Sequence, residues 1–278
     1  MYSDLKNKVA IVTGAGRPNG LGHGMSMRFA KEGCNVVITE VERPHLDPEY
    51  GRGSWKDALE RQKEIEALGV KCLPIKCDVL IEEEVQNMVD MAVKEFGEIH
   101  ILVNNVGGGP PSSVGALIDI NANGWDEGMA VNVKGTHLCS RAVAKQMIKQ
   151  GKGGKIINIA SQAAKRPTPG LGVYGAGKAS VVHYTKTLAV ELAPHKINVN
   201  AVLPGTIETD MLKEGFGKMA EHMNITYEAL MELTLPTIPL GRLQTREDVA
   251  CSVVWLASAE SDYITGETIL TTGGQTIY

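Results

Sequence analysis

The sequence lacks the features that mark several common function classes. Its five cysteines (Cys34, Cys72, Cys77, Cys139 and Cys251) are an odd number with no CxxC pair, which argues against both a disulfide framework and a zinc site. The thiols are expected to be reduced and mostly packed. None of the seven histidines stands in an HxxxH or HExxH pattern, so no metal is expected. There is no surplus of basic residues: 28 Lys and Arg are interspersed with 32 Asp and Glu, for a formal charge of −4. Without a basic stripe, nucleic acid is not an expected partner. In the opening stretch, MYSDLKNKVAIVTGAG, a short apolar run meets glycine at once. Neither a signal peptide nor a membrane span fits that pattern, and the expected location is cytoplasmic. No internal repeat, low-complexity tract or linker divides the 278 residues, so one domain over 1–278 is expected.

What the chain does contain is a regular alternation. Short apolar, β-branched runs occur at 9–13, 35–39, 72–76, 101–105, 155–161, 197–203 and 268–272. Between them lie helical patterns near 21–32, 56–68, 82–96, 125–150, 173–193 and 245–258. Continuous apolar strands, each followed by a helix, predict an α/β fold: a Rossmann-type, doubly wound parallel sheet of about seven strands with helices on both faces. The segments 41–55 and 206–240 are expected to be elaborated loops. In such a sheet a ligand sits outside the carboxyl ends of the strands, where strand order reverses.

The stretch TGAGRPNGLG at 13–22 follows the first strand and opens the first helix. Glycine at 14, 20 and 22 lets the backbone turn tightly and brings a pyrophosphate to the N–H groups of the helix start at Leu21. The alternative is a strand-to-helix turn that needs glycine for its own sake. The loop is longer than usual, with five residues between Gly14 and Gly20 instead of three; the extra pair is most simply Pro18 and Asn19. The second strand ends in Glu40, 26 residues after Gly14, near the place where a carboxylate accepts hydrogen bonds from an adenosine ribose. A 2′-phosphate beside that charge is repelled, so NAD is the expected cofactor. Arg17 and Arg43 argue the other way, since either could pair with a phosphate.

In YGAGK, Tyr174 and Lys178 are four apart and share a helix face. An ammonium near a phenol is expected to lower the tyrosine's pKa and fit it for acid–base work. The same spacing also arises by chance in amphipathic helices. Ser161, thirteen residues before Tyr174, ends the strand KIINIAS, while NNVG at 104–107 ends another strand and Asn132 lies on the helix after it.

Together with Asp78 and Val79 after the third strand, PGTIET at 204–209 and the pair Gly273 and Gly274, these motifs resemble the classical short-chain dehydrogenase/reductase family over nearly the whole chain. That resemblance implies that Tyr174 exchanges a proton with the substrate oxygen, Ser161 holds that oxygen, and Lys178 binds the nicotinamide ribose. It implies that Asn132 supports a water linking Lys178 to solvent. It places Asp78 and Val79 at the adenine, Asn105, Val106 and Gly107 along the adenosine side, and Pro204, Gly205, Ile207 and Thr209 at the carboxamide. Arg17, Asn19, Gly20, Leu21 and Gly22 complete the cofactor set with Gly14, Glu40, Tyr174 and Lys178. Ser161, Gln162, Arg166, Tyr174 and Met211 form the expected substrate set, with a substrate lid around 206–240. Lys165 and Arg166 could meet an anionic group or be solvated loop charges. Met211, Leu212, Phe216, Met219 and Met223 suit either helix core or an apolar substrate wall.

Some enoyl reductases of the superfamily also carry an enlarged glycine loop, but they space tyrosine and lysine farther apart than four, which favours carbonyl chemistry here. The expected function is hydride transfer between NAD(H) and a secondary alcohol or ketone of the polyol, hydroxy acid or hydroxysteroid class. An NADPH-dependent 3-oxoacyl-thioester reductase and a non-catalytic NAD sensor or scaffold are the alternatives. The resemblance also implies a homotetramer built on the helices at 125–150 and 173–193.

Overall fold

The computed structural model describes residues 2–41 and 54–277, apart from the side chains of Met211, Lys218 and His222. Seven parallel strands make one sheet in the order β3-β2-β1-β4-β5-β6-β7. They are β1 (Val9–Val12), β2 (Asn35–Glu40), β3 (Cys72–Lys76), β4 (Ile101–Asn104), β5 (Gly154–Ile159), β6 (Ile197–Pro204) and β7 (Thr268–Thr271). Every side chain of β1 and β4 is buried. Successive residues alternate between two cores, because strand side chains point to opposite faces.

Ala10 and Val12 join Met25, Phe29 and Val253 on one face, against α1 (Leu21–Lys31), α2 (Trp55–Glu66) and α9 (Arg246–Ala257). Val9 and Ile11 join Met88, Val143 and Met147 on the other, against α3 (Glu82–Phe96), α5 (Gly135–Gln150) and α6 (Gly172–Leu192). Four cysteines, Cys34, Cys72, Cys77 and Cys139, are packed inside; Cys251 is exposed, and all five are free thiols. Among the described residues no helix is long and apolar enough to cross a membrane.

The helix expected over 125–150 is in fact α4 (Ala122–Met129), capped by the Asn121 side chain, then a π-turn over Ala130–Lys134, then α5. The segment 206–240 is not a plain loop either. It holds α7 (Asp210–His222) and α8 (Tyr227–Thr234), whose starts are set by Thr209 and Thr226 accepting from the amides of Leu212 and Ala229. Those threonine caps are the local signal that apolar periodicity alone passes over. Arg43 and most of 41–55 lie outside the described residues.

The order of the sheet reverses between β1 and β4, so the segments after these two strands flank one crevice.

Candidate active site

At that crevice Thr13 ties the two strand ends together. Its Oγ1 accepts from the amides of Asn105 at 3.0 Å and Val106 at 3.2 Å. Gly14 follows in the left-handed region at φ +64°, and a Cβ there would stand 2.8 Å from Val106 Cγ2. A Cβ on Gly22 would stand 2.7 Å from both Asn105 Nδ2 and the Gly14 carbonyl. Asn105 Nδ2 donates to the carbonyls of Thr13 at 2.8 Å and Gly14 at 3.1 Å. The asparagine expected along the adenosine side is therefore a brace for the glycine turn. Gly20 is the N-cap of α1 and no side chain caps that helix, so its first N–H groups and the positive end of its dipole face the loop. This cradle has the chemistry a pyrophosphate requires.

Glu40 is 6% exposed at the tip of β2. Its Oε2 accepts from the Gly16 amide at 3.1 Å and its Oε1 from the Val41 amide at 3.0 Å. Burial pushes the carboxyl above its ordinary range, opposed by these two bonds and by the charge of Arg17. A Cβ on Gly16 would stand 2.7 Å from Oε2, so Gly16 is glycine to admit the carboxylate. The sequence pattern singles out Glu40 but not Gly16, because only the fold brings the two together. Asp78 and Val79 follow β3 and are buried, with Asp78 accepting from the Leu80 amide at 3.0 Å.

Arg17 and Asn19 both have partners on α7 (Asp210–His222). Arg17 Nη2 reaches Glu214 Oε1 at 3.4 Å, and Asn19 Nδ2 donates to Asp210 Oδ1 at 3.2 Å, both on the first turns of α7. Met211 lies between them in α7, its side chain outside the described structure.

At the carboxyl end of β5, Ser161 caps a short 3₁₀ turn, its Oγ accepting from the Ala163 amide at 3.1 Å, and it also hydrogen-bonds the phenol of Tyr174. Lys178 lies one turn further along α6, 3% exposed, donating to the Ile159 carbonyl at 2.8 Å. Its Nζ is 5.7 Å from the centre of the Tyr174 ring. A Cβ on Gly107 would meet Lys178 Nζ at 2.6 Å and Asn132 Oδ1 at 2.9 Å, so a larger residue there would displace one of the two side chains. Asn132 is fully buried in the π-turn. Its Oδ1 accepts from the Gly108 amide at 3.1 Å, and its Nδ2 donates to the carbonyls of Gly108 at 2.7 Å and Gly128 at 2.8 Å. Local π-turns of this kind concentrate at functional sites. Ser161, Tyr174, Lys178 and Asn132 thus come to one place from three separate segments.

The electrostatics differ from the sequence expectation. Burial raises the Tyr174 phenol, opposed by the bond to Ser161, and burial lowers Lys178 to about 8. The lysine does not pull the tyrosine down by itself. Both groups are desolvated, and the ammonium hydrogen-bonds a backbone carbonyl. This has a measurable consequence. Against an ordinary value of 10.5, a folded-state value of about 8 means that the unfolded chain binds more protons in between, so stability rises with pH across that window. Urea unfolding should show the wild type gaining about 2 kcal/mol over Lys178→Met between pH 8 and 10. Parallel pH curves for the two proteins would contradict it.

Gln162, expected to face substrate, instead clamps the C-terminal turn. It donates to Gln275 Oε1 at 2.8 Å and accepts from Thr276 Oγ1 at 3.0 Å, while Gln275 also binds Thr206 and Thr237. Both ends of its amide are in use, so it braces the site. Arg166 is half-buried and has no side-chain partner among the described residues, although its backbone amide bonds the Gln162 carbonyl at 2.8 Å. Pro204 ends β6, the Gly205 amide donates to Gln244 Oε1 at 3.0 Å, Ile207 bridges to Gln244, and Thr209 caps α7. A separate cavity of 190 Å³, lined by Thr206, Arg242, Gln244 and Thr272 among others, lies beyond β6 and β7 and contains neither Ser161 nor Tyr174.

Residues 14–276 match the family model described as enoyl-(acyl carrier protein) reductase. A diacetyl reductase ((S)-acetoin forming) of Staphylococcus epidermidis is 38% identical over 273 residues, covering 96% of this chain and 98% of the relative. The crystal structure of a carveol dehydrogenase from Mycobacterium avium in complex with NAD superposes with a TM-score of 0.91 at 27% identity, over 98% of this chain and 99% of that one. An NAD+-bound xylitol dehydrogenase gives a TM-score of 0.86, also at 27% identity, over 97% and 99% of the two chains.

Proposed function

The chain belongs to the classical short-chain dehydrogenase/reductase family of oxidoreductases, and from that premise we propose that it moves a hydride between NAD(H) and a secondary alcohol or ketone. The observation that carries the reading is the convergence of Ser161, Tyr174, Lys178 and Asn132 at the carboxyl ends of β4 and β5. A nucleotide-binding scaffold has no use for a phenol hydrogen-bonded to a serine beside a buried lysine. The nicotinamide supplies or accepts the hydride when bound.

In reduction Tyr174 donates its phenolic proton to the substrate oxygen, and in oxidation it takes the alcohol's proton. Ser161 holds that oxygen in hydrogen-bond reach of the phenol. Lys178 binds the nicotinamide ribose, and its positive charge favours the phenolate once a second partner draws the ammonium toward the ring. Asn132, fixed by the backbone of Gly108 and Gly128, supports the water that passes the proton outward. Gly14, Gly20, Leu21 and Gly22 hold the pyrophosphate, with Glu40 at the adenosine ribose and Asp78 and Val79 at the adenine. Each oxygen of Glu40 accepts one amide and keeps a lone pair for a ribose hydroxyl. Pro204, Gly205, Ile207 and Thr209 meet the carboxamide.

The matching family model is described by alkene chemistry, whereas Tyr174 and Lys178 stand one helical turn apart at the end of β5 and favour a carbonyl. The named relatives, a diacetyl reductase and a xylitol dehydrogenase, support a ketone or polyol of modest size. A panel of vicinal diketones, polyols, hydroxy acids, hydroxysteroids, a 3-oxoacyl thioester and an enoyl thioester, each tested with both cofactors, decides the matter. Ketone reduction faster with NADH than with NADPH is the expected result. Turnover of the enoyl thioester alone, or of no compound, would overturn the proposal.

A further inference from the structure

We infer that the turn made by the inserted pair, Pro18 and Asn19, builds a latch for α7, through which Arg17 and Asn19 position the helix that begins after Thr209. The inserted pair has a definite shape. The Gly20 amide donates to the Arg17 carbonyl at 3.1 Å, so Pro18 and Asn19 occupy the two central positions of a turn. Proline at the first of these presets the backbone angle such a turn requires. The turn is held from its far side, where the Pro18 carbonyl accepts from Arg246 Nη1 at 2.7 Å and lies 2.6 Å from His23 Nδ1. With the tip fixed against α1 and α9, the side chains on either side of Pro18 meet α7.

Asp210 and Glu214 are four residues apart and share one face of α7, and that face receives Asn19 at 3.2 Å and Arg17 at 3.4 Å. Arg17 is the better shielded partner, with 16% of its side chain exposed against 39% for Glu214. The helix begins directly after Thr209, so these two contacts couple its first turns to the glycine loop.

The latch also supplies a use for the inserted pair that cofactor binding alone does not require. Its consequence for turnover rests on the proposed dinucleotide site: cofactor release must break the Arg17–Glu214 pair, so opening of α7 and loosening of the glycine loop become one event. The contact itself is a property of the free chain.

Hydrogen–deuterium exchange on the full-length free protein tests it directly. Arg17→Ala and Glu214→Ala should each speed exchange of the α7 amides about two- to fivefold, the scale of a partly exposed ion pair. The double variant should exchange no faster than either single one, and R17E/E214R should return the rate to the wild-type value. About 0.5 M salt should slow none of the variants but should raise the wild-type rate toward theirs. Unchanged α7 exchange in both single variants, or additive effects in the double one, would overturn the latch. In a second arm, stopped-flow fluorescence of bound NADH should show faster release from Glu214→Ala. Wild-type protein that binds no NADH would instead overturn the reading of the dinucleotide site, while the exchange arm still decides the latch.

Discussion

Tyr174→Phe is expected to lower kcat by about 10²- to 10⁴-fold, the range contributed by a positioned acid or base, while NADH affinity stays within about twofold of wild type. The phenol oxygen is the atom that Ser161 meets, and it is the sole group in this cluster placed to give a proton to a carbonyl held by that serine. Removing it leaves the ring in place beside Lys178, so the local packing survives. The glycine turn is braced from elsewhere, by Thr13, Asn105 and Glu40, and none of these touches the phenol. Loss of turnover with cofactor binding retained therefore separates a proton donor from a structural aromatic. The measurement is kcat with the best substrate from the panel, paired with NADH titration by fluorescence. A variant with near-normal kcat would remove Tyr174 from the mechanism, and one that also lost NADH would make it a packing residue.

The features legible in the sequence are those that rest on local pattern. All seven strands lie where the apolar runs fall, most plainly in the central ones, because a strand buried on both faces is apolar along its length, as Val9–Val12 and Ile101–Val103 are. Tyr174 and Lys178 are visible as a helical pair, and Glu40 is visible as an acid at a strand end. What stays hidden depends on contacts between distant segments. Gly16 is glycine because of Glu40, 24 residues away. Gly107 leaves room for Lys178 and Asn132 to converge on it. Gln162 is claimed by Gln275 and Thr276, more than a hundred residues on, and no spacing rule links them. The Tyr174 shift runs opposite to the direction its neighbour suggests for a related reason: spacing shows that two side chains are near, but not how far each has been desolvated. The helices α7 and α8 are amphipathic, but each is short and opens on a single capping residue, Thr209 or Thr226, inside a stretch whose glycines and prolines read as loop.

Replacing Glu40 with alanine is expected to shift the ratio of NAD to NADP use by about ten- to a hundredfold, the scale of one hydrogen-bonded charge. The structure divides the effect of this substitution into two parts. The carboxylate holds the Gly16 amide inside the glycine loop and the Val41 amide at the end of β2, so its removal leaves a buried donor without an acceptor. That part loosens the loop for either cofactor and should cost stability by about 1–3 kcal/mol, read as a lower unfolding midpoint in urea. The second part is selective. In the proposed site the buried negative charge would repel a 2′-phosphate and accept from ribose hydroxyls, and alanine would do neither. Arg17 does not supply the missing phosphate ligand in the native protein, because Glu214 already engages it.

Glu40→Gln separates the two parts: it keeps one acceptor oxygen for a backbone amide and removes the charge. It should retain more of the stability than Glu40→Ala while shifting the cofactor ratio in the same direction. Isothermal titration of both variants with NAD and NADP, alongside kcat/KM for each, gives the ratio free of any uniform loss. An unmoved ratio in both variants would make Glu40 a brace of the loop alone. Equal use of the two cofactors by the wild type would reduce Glu40 to the same bracing role, because a buried, charged carboxylate placed as proposed, against the ribose, would discriminate against a phosphate there.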